Sequence, residues 1–325
     1  MSEVHKFLFE GLPVRGVLVR LTDAWTEILQ RRALAGTSYA LPVRHLLGEM
    51  VAAATLMQAN IKFNGALILQ IFGDGPVKLA VAEVQPDFSL RATATVVGEV
   101  AATATLSTLV NMNNEGKCAI TLDPKSRLPG QQPYQGVVPL FGEQREKLEK
   151  LSEVLEHYML QSEQLDTTLV LAADDKVAAG LLIQRLPLQG TGNLGGAAQR
   201  DEDQIGINED YKRIAMLAGT LKREELLTLD VDTILRRLFW EESLMHFEPL
   251  TGDAAPRFAC SCGRERVGRM ILGLGEPEAL SILAEIGEVD VGCDFCGAHY
   301  HFDAIDVAQI FRQTGEVPPG SSRVQ

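Results

Sequence analysis

Four cysteines near the C-terminus are the feature that most constrains this 325-residue chain. Cys260 and Cys262 form a CxC pair, and Cys293 and Cys296 form a CxxC pair. Each pair can present two sulfurs from one turn, and four thiolates make a closed tetrahedral site of the kind that holds structural Zn²⁺. The spacing therefore predicts one Zn²⁺ per chain, bound by all four cysteines. The alternative is four unrelated buried cysteines.

The spacing leaves two uses of such a site open. Zinc-bound sulfur is held as thiolate, and thiolate is the form of cysteine that oxidants attack. Two cysteines two or three positions apart can close a disulfide once the metal leaves, although the ring of a CxC disulfide is tight and strained. The site is therefore either an inert staple or an oxidant sensor, and the spacing does not choose between them.

Composition limits the class of protein. An apolar fraction of 46% supports a packed core, and five cysteines with four at metal spacing favour a reducing compartment over a disulfide scaffold. The N-terminal segment lacks the long apolar run of a secretory signal. The most apolar helix candidate, residues 41–62, is interrupted by Arg44, His45 and Glu49. We therefore expect a soluble cytoplasmic protein with no membrane contact.

The charge of the chain argues against nucleic acid as a partner. The net charge is −13, and the segment from Met245 to Gln325 contains six Arg, no Lys and twelve acidic residues, a net charge of −6. Contact with phosphates requires clustered Lys and Arg. A nucleic-acid-binding zinc module is therefore disfavoured.

Residues 1–184 have the pattern of an α+β core with antiparallel sheets and helices packed beside them. A turn at 73–76 between two apolar runs predicts a β-hairpin, and Pro42 suits the first turn of a helix. The pattern predicts a helix at 23–32, a helix at 41–62, a helix at 143–163, interrupted β-type sequence at 7–21, and strands at 65–72, 77–84, 90–97, 101–109, 167–172 and 178–184.

The rest of the chain divides into a linker, a small domain and a tail. The composition of residues 185–244 predicts a linker. Its first part is glycine-rich and is expected to be flexible, and its second part is expected to form helices at 208–227 and 231–243. Such short helices need a packing partner, and we expect them to dock on the core. Residues 245–313 are expected to form a zinc-binding domain that is too small to fold by apolar contacts alone. Removal of zinc is therefore expected to unfold this domain. Residues 314–325 predict a disordered tail.

Several segments resemble one known family. They are the cysteine contexts Phe258-Ala-Cys-Ser-Cys262 and Cys293-Asp-Phe-Cys-Gly297, the following His299 and Tyr300, and the stretches Tyr134-Gln-Gly-Val-Val138, Tyr158–Leu165 and Glu224-Glu-Leu-Leu-Thr228. Together with the order of core, linker and zinc domain, these segments resemble the redox-regulated holdase chaperones called heat-shock protein 33. The resemblance covers nearly the whole chain.

This resemblance implies a mechanism. Members of the family are inactive while reduced and zinc-bound. Oxidants such as peroxide with mild heat, or hypochlorous acid, would form the disulfides Cys260–Cys262 and Cys293–Cys296 and release zinc, the CxxC pair responding first. Unfolding of the zinc domain would loosen the linker and uncover apolar surface that holds unfolding client proteins without ATP. The family also implies a homodimer through the core and ATP-dependent chaperones that receive the clients.

Other polar residues have structural interpretations. Cys118 is expected to be a small buried apolar residue, with a reactive thiol as the alternative. Because four sulfurs already fill a tetrahedral site, His299 and His301 are expected to pack beside the metal ligands rather than to bind the metal. Arg264 and Arg266 either offset the charge of the thiolates or belong to a solvated helix face.

We find no catalytic constellation in the sequence. Glu163, Glu49 and His45 lack a nucleophile motif or an open metal site beside them, and the 73–76 turn lacks the residues of a phosphate loop. The chain is therefore not expected to be an enzyme. A constitutive zinc-stapled interaction module is the main alternative function, and a thiol–disulfide oxidoreductase or a zinc hydrolase is a third.

Overall fold

The computed structural model of this chain describes residues 1–126, 131–142, 144–187 and 200–312, with the backbone alone for 200–208. The chain divides into two compact units. The main unit comprises Met1–Ala33 and Thr37–Ala259, and the cysteine unit contains the described residues from Cys260 onward. The predicted tail at 314–325 and residues 188–199 of the predicted linker lie outside the described residues.

The main unit consists of strands and helices in the following order: β1 Glu3–Phe9, β2 Val14–Leu21, α1 Asp23–Leu34, α2 Leu41–Asn60, β3 Gly65–Phe72, β4 Val77–Val84, β5 Ser89–Val96, α3 Leu106–Val110, β6 Lys117–Pro124, β7 Tyr134–Pro139, α4 Leu151–Glu163, β8 Thr167–Ala173, β9 Ala178–Arg185, α5 Arg200–Gly219, α6 Arg223–Thr228, α7 Val231–Phe239, β10 Leu244–His246 and β11 Arg257–Phe258.

These strands form two sheets. The five-stranded sheet has the order β10-β1-β2-β9-β8, and the six-stranded sheet has the order β11-β5-β4-β3-β6-β7. Neighbouring strands in both sheets run antiparallel, apart from β11, which runs parallel to β5. The predicted α+β class with antiparallel sheets is therefore confirmed, as are the β3–β4 hairpin and the β8–β9 pair.

Helix α2 is packed against strands of both sheets. Most of its residues are buried, which explains its apolar sequence on nearly every side. Pro42 lies in its first turn, where a missing N–H costs no helical hydrogen bond. At Gly48 an added Cβ would lie 2.3 Å from the Cβ of Ala173, so the close approach of helix and sheet requires glycine there. The large hydrophobic core of the main unit surrounds this helix.

The linker helices α5, α6 and α7 cover the other face of the five-stranded sheet. Their buried side chains, among them Ile214, Leu226 and Ile234, form one hydrophobic cluster with Phe7 and Leu181 of the sheet. The expected docking of the linker on the core is thus present in this structure. We call the apolar side of the sheet under these helices the linker-covered face; it is formed by Phe7, Phe9, Val14, Leu18, Ala172, Ala179, Leu181 and Ile183.

Arg20 on β2 fastens α6 to the sheet. Its guanidinium donates hydrogen bonds to the carbonyl oxygens of Leu226 at 3.2 Å, Leu227 at 2.8 Å and Leu229 at 3.0 Å. Carbonyls at the end of a helix have no partner within the helix. Arg20 therefore satisfies the C-terminal end of α6 from the core, a contact that the sequence pattern did not indicate.

Local sequence pattern misplaced some of the elements. Residues 101–109 were expected to be β-type, but Leu106–Val110 form α3, because Thr105 N–H donates to Thr108 Oγ1 at 2.8 Å and closes a helical turn. The helix predicted at 143–163 begins only at Leu151. The helix predicted at 208–227 is two helices, since Lys222 N–H donates to Glu225 Oε2 at 2.9 Å and starts α6 anew.

The compact cysteine unit begins later than the predicted domain start at residue 245. Residues 244–246 pair with β1 and residues 257–258 pair with β5, so that the segment before Cys260 completes the two sheets of the main unit. Arg257 also forms an ion pair with Asp87 at 2.5 Å. The linker is therefore followed by a sheet-bound segment before the cysteines begin.

Substitution of Arg20 by Met should loosen α6. Three carbonyls would lose a charged donor, at a cost of about 1–3 kcal/mol in the free energy of local unfolding. Hydrogen exchange of the α6 amides should therefore accelerate. Arg15→Met is the matched control, because Arg15 lies on the same strand but donates to Gln184 and to the Asn60 carbonyl. Equal α6 exchange in Arg20→Met and the unsubstituted chain would contradict this role of Arg20.

Candidate metal centre

The cysteine unit has a small apolar core. Its elements are α8 Arg264–Leu274, α9 Glu276–Ile286, β12 Val289–Gly292, β13 His299–Phe302 and α10 Ala304–Arg312. Among the described residues its buried apolar side chains are Val267, Ile271, Ala279, Val289, Phe302 and Val307. So few buried side chains provide little apolar stabilisation, and a unit of this size depends on an additional cross-link.

Two chain segments bring the cysteines together. Cys260 and Cys262 lie immediately before α8, and Cys293 and Cys296 lie in the turn between β12 and β13. That turn is closed by Cys293 N–H to the Ala298 carbonyl and by Gly297 N–H to the Cys293 carbonyl, both at 2.8 Å. Gly297 has a φ of 69°, in the left-handed region that favours glycine.

The four sulfurs form one compact group. All four Sγ atoms lie within 4.8 Å of one another. The distance from Cys260 Sγ to Cys293 Sγ is 3.6 Å, and that from Cys262 Sγ to Cys296 Sγ is 3.2 Å. Zinc–sulfur bonds of about 2.3 Å place tetrahedral sulfurs about 3.8 Å apart. The geometry thus fits one tetrahedral metal ion, with all four coordination positions filled by sulfur.

The surroundings of the sulfurs affect their ionisation unequally. Burial raises the pKa of Cys262, but hydrogen bonds from the Tyr300 hydroxyl, whose oxygen lies 3.1 Å from the sulfur, and from the other cysteines outweigh burial and lower it to about 7. Burial, together with the neighbouring thiols, raises the pKa of Cys260 and of Cys296. Of these three thiols, Cys262 is therefore the one that ionises most readily when no metal is bound.

The neighbouring histidines brace the β12–β13 hairpin. His299 Nδ1 lies 3.1 Å from Asp290 Oδ1, and His301 Nδ1 lies 3.2 Å from Glu288 Oε1. The two imidazole rings stack with their centroids 6.2 Å apart. Neither histidine belongs to the group of clustered metal-binding side chains, which in the described part of the chain consists of the four cysteines.

The two arginines after the CxC pair bind protein groups. Arg264 donates to the His301 carbonyl at 2.6 Å, pairs with Asp306 at 2.5 Å and lies over the ring of Phe302. Arg266 donates to Ser261 Oγ at 2.7 Å, within the CxC turn. Arg264 therefore fastens α8 to β13 and α10, and Arg266 steadies the backbone between two ligating positions.

The remaining candidates have structural roles. Cys118 is fully buried on β6, and burial raises the pKa of its thiol to about 12, in agreement with the expected small apolar role. Glu163 accepts hydrogen bonds from Tyr134 and Tyr158. Burial raises the pKa of Glu49 to about 7, although the nearby Arg223 opposes this shift.

Sequence reasoning missed Tyr300 as a partner of the sulfurs. The residue follows the CxxC pair in the sequence, but only the β12–β13 hairpin turns its hydroxyl towards Cys262. A tyrosine four positions after the last cysteine was the available signal.

No helix in the described ranges has the length and apolar character needed to span a membrane.

Comparison with known proteins agrees with this site. The family model described as Hsp33 protein matches residues 2–303. The chain belongs to the Hsp33 family. The resemblance read from the cysteine motifs is thereby confirmed, and this Hsp33 family member is placed among chaperones, proteins that bind unfolded clients.

Relatives of this Hsp33 family member match it over nearly their full length. It is 44% identical to a 33 kDa chaperonin from Chromobacterium violaceum, over 95% of this chain and 94% of the relative. It is 40% identical to one from Methylobacillus flagellatus, over 98% and 97%. The crystal structure of the 33 kDa chaperonin from Thermotoga maritima has the same fold, with a TM-score of 0.71 and 18% identity over 97% of this chain and 99% of that one.

Cys293→Ser should lose metal. Removal of one of four ligands should weaken Zn²⁺ binding by more than about 100-fold, because loss of even supporting residues around a metal costs about 10–100-fold. Zinc per chain would be measured after dialysis against a weak chelator. Cys118→Ala, which removes a buried sulfur from the core of the main unit, is the control and should retain one zinc. Tight zinc binding by Cys293→Ser would contradict the ligand assignment.

Proposed function

We propose that this chain is a redox-regulated, ATP-independent holdase chaperone that is inactive while reduced and zinc-bound. The observation that carries the proposal is the cluster of four sulfurs in a unit with a small apolar core. In such a unit the chemical state of the sulfurs decides whether the fold persists. Membership of a chaperone family supports client binding as the output.

The cysteines of the site would serve as both metal ligands and redox centres. Bound Zn²⁺ would cross-link the segment before α8 to the β12–β13 turn. In the oxidation of each pair, two thiolates lose two electrons and form one S–S bond, while peroxide gains those electrons and, with two protons, becomes two molecules of water. Loss of thiolate ligands releases the metal, and the cysteine unit then lacks its main cross-link.

Pairing within each turn is what the family resemblance implies, and chain connectivity supports it. In the folded unit, sulfurs of different turns also lie close together, with Cys260 Sγ 3.6 Å from Cys293 Sγ and Cys262 Sγ 3.2 Å from Cys296 Sγ. A bond between neighbours in one turn closes a loop of a few residues, whereas a bond between turns closes a loop of more than thirty. The shorter loop costs less conformational entropy. We therefore propose the pairs Cys260–Cys262 and Cys293–Cys296.

The linker helices would transmit this change to the client surface. α6 and α7 are short helices, and such helices depend for their stability on packing, here on the sheet. The chain runs from α7 through β10 and β11 directly into Cys260. Release of the linker helices would expose the linker-covered face, whose aromatic and aliphatic side chains suit the apolar segments of unfolding proteins.

Other parts of the proposal rest on the family alone. The activated form would be a homodimer through the main unit, and held clients would pass to ATP-dependent chaperones. The chain would act in the cytoplasm under oxidative stress, where cysteines are otherwise kept reduced.

Light scattering from chemically unfolded citrate synthase tests this function. The zinc-loaded reduced chain should leave aggregation unchanged, and the chain treated with peroxide at mild heat should suppress it. A thiol reductant added before the client should restore the inactive state. Suppression in both states would favour a constitutive interaction module, and suppression in neither would reject the holdase function.

The disulfide pairs are tested by mass spectrometry of proteolytic peptides from the oxidised, zinc-free chain. Linked peptides should contain Cys260 with Cys262 and Cys293 with Cys296, and Cys118 should be found as a free thiol because it is buried. Peptides that link residue 262 to residue 296 would contradict pairing within each turn.

A further inference from the structure

The outer edge of β1 is covered by a segment of the chain itself, Ser243–Leu250. This covering segment contains β10, which runs antiparallel to β1. Backbone hydrogen bonds extend along the strand, from Glu10 N–H to the Ser243 carbonyl at 2.9 Å, from Phe247 N–H to the Lys6 carbonyl at 2.9 Å, and in both directions between Val4 and Leu250 at 3.2 and 2.9 Å. The covering segment thus satisfies an edge that would otherwise present free N–H and C=O groups.

Side-chain burial contributes little to this covering segment. Met245 is 47% exposed and Phe247 is 48% exposed, and His246 and Glu248 are also exposed. Two side chains near the ends of the segment are partly buried, Leu244 against the hydrophobic cluster of the linker and Leu250 against the large core of the main unit. The segment is therefore held mainly by backbone hydrogen bonds, which makes its local unfolding inexpensive compared with that of a core strand.

The edge of β1 is continuous with the linker-covered face. Phe7 and Phe9 of β1 lie in that face, and Leu244, opposite Phe9, packs on the same cluster. The ring of His246, opposite Phe7, lies 6.2 Å from its ring. A strand at this position therefore places every second side chain at the border of the apolar face.

The covering segment also depends on α7. Phe239, the last residue of α7, contacts the ring of Phe9 edge-on with centroids 5.1 Å apart. Glu242 N–H donates to the Phe239 carbonyl at 3.0 Å, immediately before the covering segment begins. If α7 leaves the sheet, the segment loses its N-terminal anchor.

We propose that the edge of β1 is a strand-accepting site for clients. An extended segment of an unfolding protein, with apolar residues at every second position, replaces the covering segment and forms backbone hydrogen bonds to β1. This inference rests on the proposed holdase function and specifies the binding mode. Backbone hydrogen bonds accept any non-proline sequence, while alternate side chains reach the apolar face, and both properties suit a protein with varied clients.

Hydrogen exchange at single amides tests the site within one strand. In an antiparallel strand, alternate N–H groups point to opposite neighbours. The amides of Val4, Leu8 and Glu10 point to the covering segment, whereas those of Phe7 and Phe9 point to β2. Oxidation should accelerate exchange of the first three at least about tenfold and leave the other two slow.

Bound client should then restore protection. With chemically unfolded citrate synthase held by the oxidised chain, exchange of the Val4, Leu8 and Glu10 amides should slow again by a similar factor. If the client is held and these amides still exchange fast, strand addition is wrong and the holdase function stands. If they never accelerate on oxidation, the edge does not open and the inference is also wrong. If the oxidised chain holds no client, the proposed function fails, and the inference fails with it.

Two substitutions at one position provide an independent measurement. Phe247→Pro removes the N–H that donates to Lys6, whereas Phe247→Ala trims only an exposed side chain. The Pro variant should show faster exchange of the Val4 and Leu8 amides, which lie on either side of the lost hydrogen bond, in the reduced chain and should gain holdase activity sooner after oxidation. The Ala variant should match the unsubstituted chain in both. Faster exchange without faster activation would contradict the role of the covering segment.

Discussion

The five-stranded sheet has two apolar faces, and the need to cover both organises the main unit. One face packs on α2, which is buried between the two sheets. The other packs on α5, α6 and α7. An uncovered face of this kind would be a large exposed apolar patch, which folded monomers avoid. The two covers differ in how much of their surface the main unit encloses. Helix α2 is enclosed by the core, whereas the linker helices contact the sheet on one side only.

The linker helices are therefore the cover on which the structure of the core depends less. Removal of α2 would destroy the main unit, but removal of the linker helices would leave two sheets and their shared core intact. Arg20 and the Phe239–Phe9 contact fasten the linker from the sheet side. A cover that is held by a few identifiable contacts can be released by a modest change in free energy.

The cysteine unit has too few buried apolar side chains to be stabilised in the same way as the main unit. Its apolar core is small, and a metal ion bound by the four clustered sulfurs would supply the cross-link that the core lacks. The two hairpin histidines, Arg264 and Tyr300 contribute hydrogen bonds around this cluster. Stability that depends on thiolate ligands is sensitive to oxidants, which a larger apolar core would not be.

Local pattern in the sequence predicted the elements that local forces determine. The buried helix at Leu41–Asn60, the β3–β4 hairpin and the β8–β9 pair were all found close to their expected positions. Errors arose where a few polar contacts override hydrophobic pattern, as at Thr105 and Lys222. Strand neighbours that lie far apart in the chain, such as β2 and β9, were not predictable, because a strand's own residues do not specify its partner.

The sequence by itself determined the chemistry: four cysteines at CxC and CxxC spacing, a segment too small for an apolar core, and motifs of one chaperone family. These properties depend on side-chain type and on neighbours in the chain. Only the tertiary structure decided which face of the sheet the linker covers, that Tyr300 donates to Cys262, and that residues 243–250 close the edge of β1. Such contacts join residues distant in sequence, and their free energy exists only once the chain is folded.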